Sequence, residues 1–302
     1  MDTPAPLPAS LASPDGTPDI TTVISRLFVY PIKSCAGVQV NQALLLDTGL
    51  EFDRAWMVVD AHGHFLTQRV LPRMALIQPQ LKHFEMVLRA PNMLALHIQL
   101  DTVDAPCRVT VWDDTVPAYD MGSLAAQWFT DFLGQTARLV RFDPAHQRLS
   151  SREWTGDAQG LNQFSDGYPL LVISEASLSQ FNDKLTATGS PAVGMARFRP
   201  NIVLGAQAQW LPHDEDRLTL LQIQTHQGAA YIKPVKPCSR CPIPDIDPLT
   251  ALSTHAVGDM LQTYRQDARL GGAPSFGMNA IAVSPAEHLL VVGQTVQAHY
   301  HF

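Results

Sequence analysis

The sequence predicts a mainly β fold of the α+β class, with a few helices and two β-barrel-like domains. Short runs rich in β-branched and aromatic residues recur from Thr22 onwards, and turn residues separate them. Helical periodicity interrupts this pattern in only two places. Regularly spaced short strands favour a sheet that curls into a barrel over a fold of alternating strands and helices. With 302 residues, of which 46% are hydrophobic, the chain can build two domains with buried cores.

The first twenty residues differ in composition from the rest of the chain. They have few bulky apolar side chains to bury and little capacity for helix or strand. We therefore predict a disordered tail over residues 1–20. Its prolines are Pro4, Pro6, Pro8, Pro14 and Pro18.

The first domain is predicted over residues 21–145. Its strands are expected at residues 24–30, 38–46, 55–60, 64–66 and 94–100, and His62-Gly63 between two of them is typical of a hairpin turn. One amphipathic helix is expected over residues 124–133, with Ser123 as its cap. The apolar face of this helix consists of Leu124, Trp128, Phe129 and Phe132.

The second domain is predicted over residues 146–302, after a boundary near residue 145. The polar stretch 143–163 is interpreted as a linker region. Ser174 and Ser177 indicate a capped helix, with Leu178, Phe181 and Leu185 along one face. Strands are expected at residues 170–173, 202–204, 217–224, 229–235, 279–283 and 295–300.

Charge and composition exclude several classes of protein. The net charge of −7 argues against a nucleic acid polymer as partner. No run approaches the ~18 consecutive apolar residues of a membrane span, and no secretory signal opens the chain. The 4 cysteines are too few for a disulfide scaffold, so we expect reduced thiols and a cytoplasmic protein.

The segment 233–248, KPVKPCSRCPIPDIDP, contains the densest group of reactive side chains. Cys238 and Cys241 flank Ser239 and Arg240 in a stretch stiffened by prolines. A positive charge beside a thiol favours the thiolate, which is a soft ligand suited to transition metals. The pair is therefore a candidate for metal or redox chemistry in this loop.

Three interpretations of this cysteine pair compete. A structural zinc site needs four ligands, but Cys35 and Cys107 lie far away in sequence without paired spacing. A thioredoxin-like pair would stand at the start of a helix, which the following prolines oppose. The third interpretation is two cysteines without a chemical role.

Other polar side chains stand where strands meet loops. Each of them alone is typical of a solvated turn. Together they suit the binding of an anionic, amide-rich ligand. They are Lys33 and Ser34, Asp53 and Arg54, Ser165 to Gly167, and the segment containing Arg197, Arg199 and Asn201.

These segments, in this order, resemble the MOSC family with its preceding β-barrel domain, and within it the amidoxime-reducing members. The resemblance runs from about residue 22 to the C-terminus. It implies a MOSC N-terminal β-barrel followed by a MOSC β-barrel. The motifs that carry it are YPIKSCAG (30–37), DRAW (53–56), AAQWFTDFL (125–133), LVISEASL (171–178), RFRPNIV (197–203), CSRC (238–241) with DP (247–248), and SFG (275–277).

The resemblance implies a molybdenum cofactor, Mo-molybdopterin, whose metal is bound by the cofactor dithiolene and by Cys241. Cys238 is then a neighbour of the ligand. Gly167 stands where a compared family member has threonine, so only its backbone remains for contact. Asp247 matches a family position near the metal and is expected to orient groups or handle protons. The expected cofactor-binding residues are Lys33, Ser34, Arg54, Asp166, Gly167, Arg199, Asn201, Ser239 and Arg240.

The reaction implied by the resemblance is reductive removal of oxygen from small N-hydroxylated compounds such as amidoximes, hydroxylamines and N-hydroxylated bases. No further cysteine cluster could hold an iron–sulfur centre. We therefore expect an external flavin- or haem-containing donor protein, with Arg69 and Arg73 as candidates for its docking rim. The alternative is a module that binds the cofactor or carries sulfur without turnover of its own.

Overall fold

The computed structural model describes residues 17–207, 209–284 and 286–301. Residues 1–16 of the predicted tail lie outside the described residues. The end of the predicted tail is already ordered, because the first strand begins at Ile20.

Strands make up most of the regular structure. In chain order they are β1 (Ile20–Val29), β2 (Val38–Val40), β3 (Gln42–Leu46), β4 (Gly49–Leu50), β5 (Trp56–Val59), β6 (Gln78–Leu81), β7 (Glu85–Arg89), β8 (Leu96–Gln99), β9 (Pro106–Val111), β10 (Asp114–Asp120), β11 (Arg138–Phe142), β12 (Arg148–Leu149), β13 (Leu161–Asn162), β14 (Leu170–Ser174), β15 (Ile202–Leu204), β16 (Leu218–Thr225), β17 (Gly228–Ser239), β18 (Ser275–Ala282), β19 (His288–Val291) and β20 (Thr295–Tyr300). The α-helices of the described residues are α1 (Ser123–Leu133), α2 (Arg152–Thr155), α3 (Glu175–Ala187) and α4 (Ala256–Tyr264).

Seven strands close into a barrel in the order β15-β14-β18-β17-β16-β20-β1, because β1 pairs with β15 as well as with β20. The β14–β15 pair is parallel, and the other neighbours are antiparallel. β2 extends the sheet beyond β1. Closure removes the unpaired edges that an open sheet would present.

The barrel encloses an apolar core to which both ends of the chain contribute. Ile24 comes from β1, Leu221 and Ile223 from β16, and Val296 from β20, and all four are fully buried. Burying one such side chain contributes about 1.5–3 kcal/mol. This interior therefore stabilises the association of β1 with the C-terminal strands.

Seven of the remaining strands form a second β-rich region around α1. An antiparallel sheet has the order β5-β11-β10-β9, and a smaller sheet has the order β6-β7-β8. Trp56, Met86, Phe129, Phe132 and Leu139 belong to one buried cluster between these elements. The prediction of a mainly β, barrel-containing fold with a few helices is confirmed.

Several predicted details differ in the structure. The stretch interpreted as a linker contains β12, α2 and β13. Gly122 precedes α1 with φ of 88° and no side-chain cap, so Ser123 is the first helical residue and not the cap. Ser174 does cap α3, since its side chain accepts a hydrogen bond from the backbone N–H of Ser177. Residues 64–66 form only isolated bridges, because Phe65 pairs with Val59 at a single position.

The boundary near residue 145 between the two expected domains remains a prediction. β1 lies in the predicted first domain, yet it pairs with β15 and β20 of the predicted second domain. Among the described residues, no helix has both the length and the apolar character needed to cross a lipid bilayer.

Candidate functional site

Seven chain segments meet around a cavity of about 280 Å³. Leu27 of β1 faces Ile202 of the antiparallel β15, so the turn after β1 lies beside the residues that precede β15. β14 runs parallel to β15, which brings the loop before β14 to the same edge. Among the predicted site residues, those that line the cavity are Lys33, Ser34, Arg54, Asp166, Gly167, Arg199, Asn201, Ser239, Arg240 and Cys241.

Two arginines lie side by side on one wall of this cavity. The guanidinium carbons of Arg54 and Arg199 both lie 4.3 Å from the ring centroid of Tyr30. Arg54 is paired with the buried carboxylate of Asp53 at 2.5 Å. Arg199 donates to the Cys35 carbonyl at 2.7 Å, and burial together with the charge of Arg54 lowers the pKa of Arg199 to about 10. The wall thus holds more positive than negative charge and suits an anion.

Asn201 is buried, and its side chain forms hydrogen bonds with residues of β1 and β14 and with Arg54. Its side-chain oxygen accepts from the Leu171 backbone N–H at 3.1 Å and from Arg54 at 3.2 Å. Its side-chain nitrogen donates to the Phe28 carbonyl at 3.3 Å. These contacts hold the Arg54 guanidinium in place, so Asn201 positions a cavity residue.

The Lys33 ammonium forms an ion pair with Asp166 and donates to the Phe164 carbonyl at 2.7 Å. Burial lowers the pKa of Lys33 in spite of the carboxylate. Burial alone would raise the pKa of Asp166, but Lys33 and Arg69 outweigh it and hold that pKa below its ordinary value. Trp112 also donates to Asp166, at 3.1 Å. The carboxylate therefore orients the cations around it.

The two neighbouring cysteines have different surroundings. Cys238 lies within β17, packs against a buried aromatic cluster and accepts from Arg240 at 3.0 Å. Burial raises the pKa of the Cys238 thiol. Cys241 lies beyond the strand end, and its sulfur is 3.4 Å from a guanidinium nitrogen of Arg69. The positive charge predicted beside a thiol is present, but at Cys241 it comes from Arg69.

Arg69 is a cavity residue that sequence reasoning assigned to a docking rim. It contacts Asp166 at 3.3 Å as well as the Cys241 sulfur, and only 21% of its side chain is exposed. The exposed Arg73 lies over the Phe132 ring at 4.7 Å and does not line the cavity. Nothing in the local sequence distinguishes Arg69, because its position depends on contacts distant along the chain.

Asp247 is the predicted site residue that does not line the cavity. One of its carboxylate oxygens accepts from the backbone N–H groups of Leu249 and Thr250, and the other accepts from Arg197 at 2.9 Å. Arg197 also donates to the carbonyls of the preceding turn. The carboxylate expected to act near a metal is thus engaged in holding a loop.

The alternatives for the cysteine pair can be compared with this geometry. All four cysteines are free thiols. Among the described residues, no group of three or more His, Cys, Asp or Glu side chains could hold a metal ion by itself. A short 3₁₀ turn at Ile243–Asp245 follows Cys241, where a thioredoxin-like pair would need an α-helix.

Comparison with known proteins identifies the family. The family model for the MOSC N-terminal beta barrel domain matches residues 21–136, and that for the MOSC domain matches residues 159–297. The chain is 32% identical over 278 residues to human mitochondrial amidoxime-reducing component 1, covering 87% of this chain and 79% of that protein. The chain belongs to the MOSC domain family.

Two further relatives extend this comparison of the MOSC chain. Mitochondrial amidoxime reducing component 2 of Rattus norvegicus is 35% identical over 243 residues, covering 76% of this chain and 68% of that protein. Molybdenum cofactor sulfurase of Bos taurus is 29% identical over 272 residues, covering 84% of this chain but 30% of that protein.

The residues of this cavity fit a molybdenum cofactor. The buried Nε–H of Arg240 has no acceptor among the described residues and is free for a ligand. A side chain added at Gly167 would meet no atom within 4 Å, so the backbone there borders open space. Cationic groups suit the cofactor phosphate, amide and hydroxyl groups suit the pterin, and a thiol suits the metal.

Proposed function

We propose that this MOSC protein is a molybdenum-cofactor-dependent reductase that removes oxygen from small N-hydroxylated compounds. The observation that carries the proposal is the cavity wall of Arg54 and Arg199, where two guanidinium groups face the single carboxylate of Asp53, on the same cavity as the free thiol of Cys241. Relatives named as amidoxime-reducing components support this reaction class.

Different side chains of the protein would bind the phosphate, the pterin and the metal of the cofactor. Arg54, Arg199 and Lys33 would neutralise the cofactor phosphate, while Ser34 and Arg240 would bind polar edges of the pterin. Cys241 would supply the thiolate ligand of the metal. The bound cofactor supplies a two-electron redox centre, and the substrate gains two electrons and two protons to give the reduced nitrogen compound and water.

Arg69 would stabilise negative charge on the Cys241 sulfur. Burial lowers the pKa of Arg69, but Cys241 and the Asp166 carboxylate outweigh this effect and raise it. The Arg69 guanidinium is therefore charged at neutral pH. The electron source is proposed to be a separate flavin- or haem-containing protein. The cytoplasmic location stays a prediction, and the amidoxime-reducing relatives are named as mitochondrial.

The test compares Cys241→Ser with Cys238→Ser in protein made by a host that synthesises the cofactor. Molybdenum is measured by elemental analysis, and reduction of benzamidoxime is followed with reduced viologen as donor. Serine is a harder and far less acidic ligand, so Cys241→Ser should lose both molybdenum and activity. Cys238→Ser should retain most of both, since this thiol packs toward the core. Full molybdenum and full rate in Cys241→Ser would refute the ligand assignment.

A second candidate function is cofactor binding or sulfur transfer without turnover. The match to molybdenum cofactor sulfurase over 84% of this chain, together with the free thiol of Cys241, favours it specifically. Two results would support this candidate: loaded wild-type protein that reduces no N-hydroxylated compound, and a Cys241 that gains the mass of one sulfur atom on treatment with inorganic polysulfide. In that step the thiolate takes one sulfane sulfur and the shortened polysulfide leaves, so no oxidant is needed.

A further inference from the structure

Lys236 differs from the other cations of the cavity. Its side chain comes from β17 and lines the cavity. Lys33 and Arg69 pair with Asp166, and Arg54 pairs with Asp53. Among the described residues, the Lys236 ammonium has no carboxylate oxygen within 4 Å and no hydrogen-bond acceptor. An ammonium has three donors, so all of them are available to a ligand.

Two aromatic rings flank this ammonium. The Lys236 nitrogen lies 5.0 Å from the ring centroid of Trp154 in α2 and 5.9 Å from that of Tyr168. Tyr168 also lines the cavity, just before β14. Cation–π contacts of this kind are worth about 0.5–1 kcal/mol at exposed sites and leave the charge intact. The rings hold the ammonium and add a flat apolar surface beside it.

Lys236 is remote from the arginine wall along the sheet. Arg199 precedes β15, whereas Lys236 lies on β17, and β14 and β18 separate these strands. At about 4.8 Å per strand spacing, this corresponds to ~14 Å along the sheet. Lys236 therefore enters the cavity from a different strand than the arginine wall, and its ammonium can bind a second anionic group there.

We propose that Lys236, Tyr168 and Trp154 form a subsite for a carboxylate or phosphate group carried by the substrate. This inference rests on the proposed reductase function and narrows its substrate class. The favoured substrates are planar N-hydroxylated compounds with an anionic substituent, whose ring packs on the aromatic side chains while the anion binds the ammonium.

The experiment compares benzamidoxime with 4-carboxybenzamidoxime in the molybdenum-loaded enzyme, with reduced viologen as donor. Lys236→Met removes the charge at nearly constant length, and Lys236→Arg is the conservative rescue. Lys233→Met is the matched control, because Lys233 lies on the same strand, donates to the Thr155 carbonyl and does not line the cavity.

Lys236→Met should lower the ratio of kcat/KM for the carboxylated over the neutral substrate about tenfold, mainly through KM, which corresponds to ~1.4 kcal/mol. Lys236→Arg should recover most of this ratio, and Lys233→Met should leave it at the wild-type value. An unchanged ratio in Lys236→Met, or an equal fall in Lys233→Met, would overturn the subsite.

A binding measurement separates failure of the subsite from failure of the proposed function. Calorimetric titration with 4-carboxybenzamidine and benzamidine should show tighter binding of the carboxylated ligand to wild type but not to Lys236→Met. This outcome would support the subsite even if the enzyme reduced neither amidoxime, which would refute the function. Loss of molybdenum and pterin from purified Lys236→Met would instead assign Lys236 to the cofactor and overturn the inference.

Discussion

At the scale of single residues, the cavity depends on backbone conformations that most amino acids avoid. Ser34, Arg54 and Arg199 have φ angles of 65°, 49° and 59°. A left-handed conformation costs a non-glycine residue roughly 1–2 kcal/mol. Such strain is typically stored at functional sites, where it fixes the direction of a side chain. The cavity therefore gains its geometry at the expense of stability.

Ser34→Gly should separate these two effects. Glycine adopts positive φ without strain, so the variant should be about 0.5–1 kcal/mol more stable in urea denaturation. The hydroxyl proposed to bind the pterin is lost, so molybdenum content after purification should fall. Ala251→Gly is the control, because Ala251 has φ of 59° outside the cavity and its replacement should change stability alone. Unchanged molybdenum in Ser34→Gly would contradict a role for the hydroxyl.

His213 gives a pH-dependent stability. Burial, Arg265 and Lys184 lower the pKa of His213 to about 3. An unfolded histidine binds its proton near pH 6.5, so between about pH 6.5 and 3 the unfolded state binds more protons and stability falls as the pH falls. The slope from one such group is at most about 1.4 kcal/mol per pH unit.

The corresponding variant is His213→Asn, since asparagine tolerates the φ of 67° at this position. Urea denaturation at a series of pH values between 7 and 4 should give a flatter stability curve for the variant than for wild type. Parallel curves would mean that the pKa of His213 is the same in the folded and unfolded states, which would contradict the effect of burial.

At the scale of elements, the loop before β14 is held by one buried arginine. Arg148 of β12 donates to the carbonyls of Gln163 at 2.9 Å and Ser165 at 2.7 Å, and to the Asn162 side chain at 2.6 Å. It also pairs with Asp114 at the start of β10, at 2.7 Å. Arg148 therefore links the second β-rich region to the loop that carries Asp166.

Arg148→Met should destabilise the protein by about 2–4 kcal/mol, because it leaves buried acceptors without a donor. Cofactor retention should fall by more than the loss of stability alone explains, because Arg148 no longer holds the loop that carries Asp166. Arg141→Met is the matched control, as Arg141 donates to the Leu100 carbonyl away from the cavity. Equal molybdenum content in the folded fractions of both variants would refute a positioning role for Arg148.

The elements also show what the sequence alone could predict. The strands of the barrel were predicted because their apolar and β-branched runs are strong, as in β14 and β15. β10 was not predicted, since Pro117 and its polar residues oppose a strand and only pairing with β9 and β11 supports it. α4 was also missed, because His255 provides no side-chain cap and Gly258 weakens the helical pattern.

The site was predictable only in part. Residue types and the family resemblance selected side chains at strand–loop junctions, and these do meet at one cavity. The contact of Arg69 with Cys241 joins positions 172 residues apart, so no local pattern could reveal it. Asp247 was placed near a metal by resemblance, whereas its hydrogen bonds with Arg197 and the following backbone hold it in a loop.

At the scale of the whole molecule, the two ends of the chain complete one barrel. β1 lies between β15 and β20, and Ile20 pairs with Ala298. The turn after β1 supplies Lys33 and Ser34 to the cavity. The predicted second domain therefore lacks both a barrel strand and part of the site when taken alone.

A fragment of residues 146–302 should accordingly fail to unfold cooperatively and should retain no molybdenum. The control protein is the same fragment with residues 18–41 joined after residue 301 by a short glycine-rich turn. This connection is possible because β20 and β1 are antiparallel neighbours. This rearranged fragment should recover a cooperative thermal transition. Cooperative unfolding and full cofactor content in the fragment without β1 would contradict the shared barrel.

The position of β1 also affects how the protein folds during synthesis. β1 leaves the ribosome before its partners β15 and β20, which follow about 180 and 280 residues later. Pairings so distant in sequence form slowly, and the nascent strand meanwhile presents open edges and apolar side chains. We therefore expect productive folding in the cell to depend on shielding this segment, for example by a chaperone, until β20 has been synthesised.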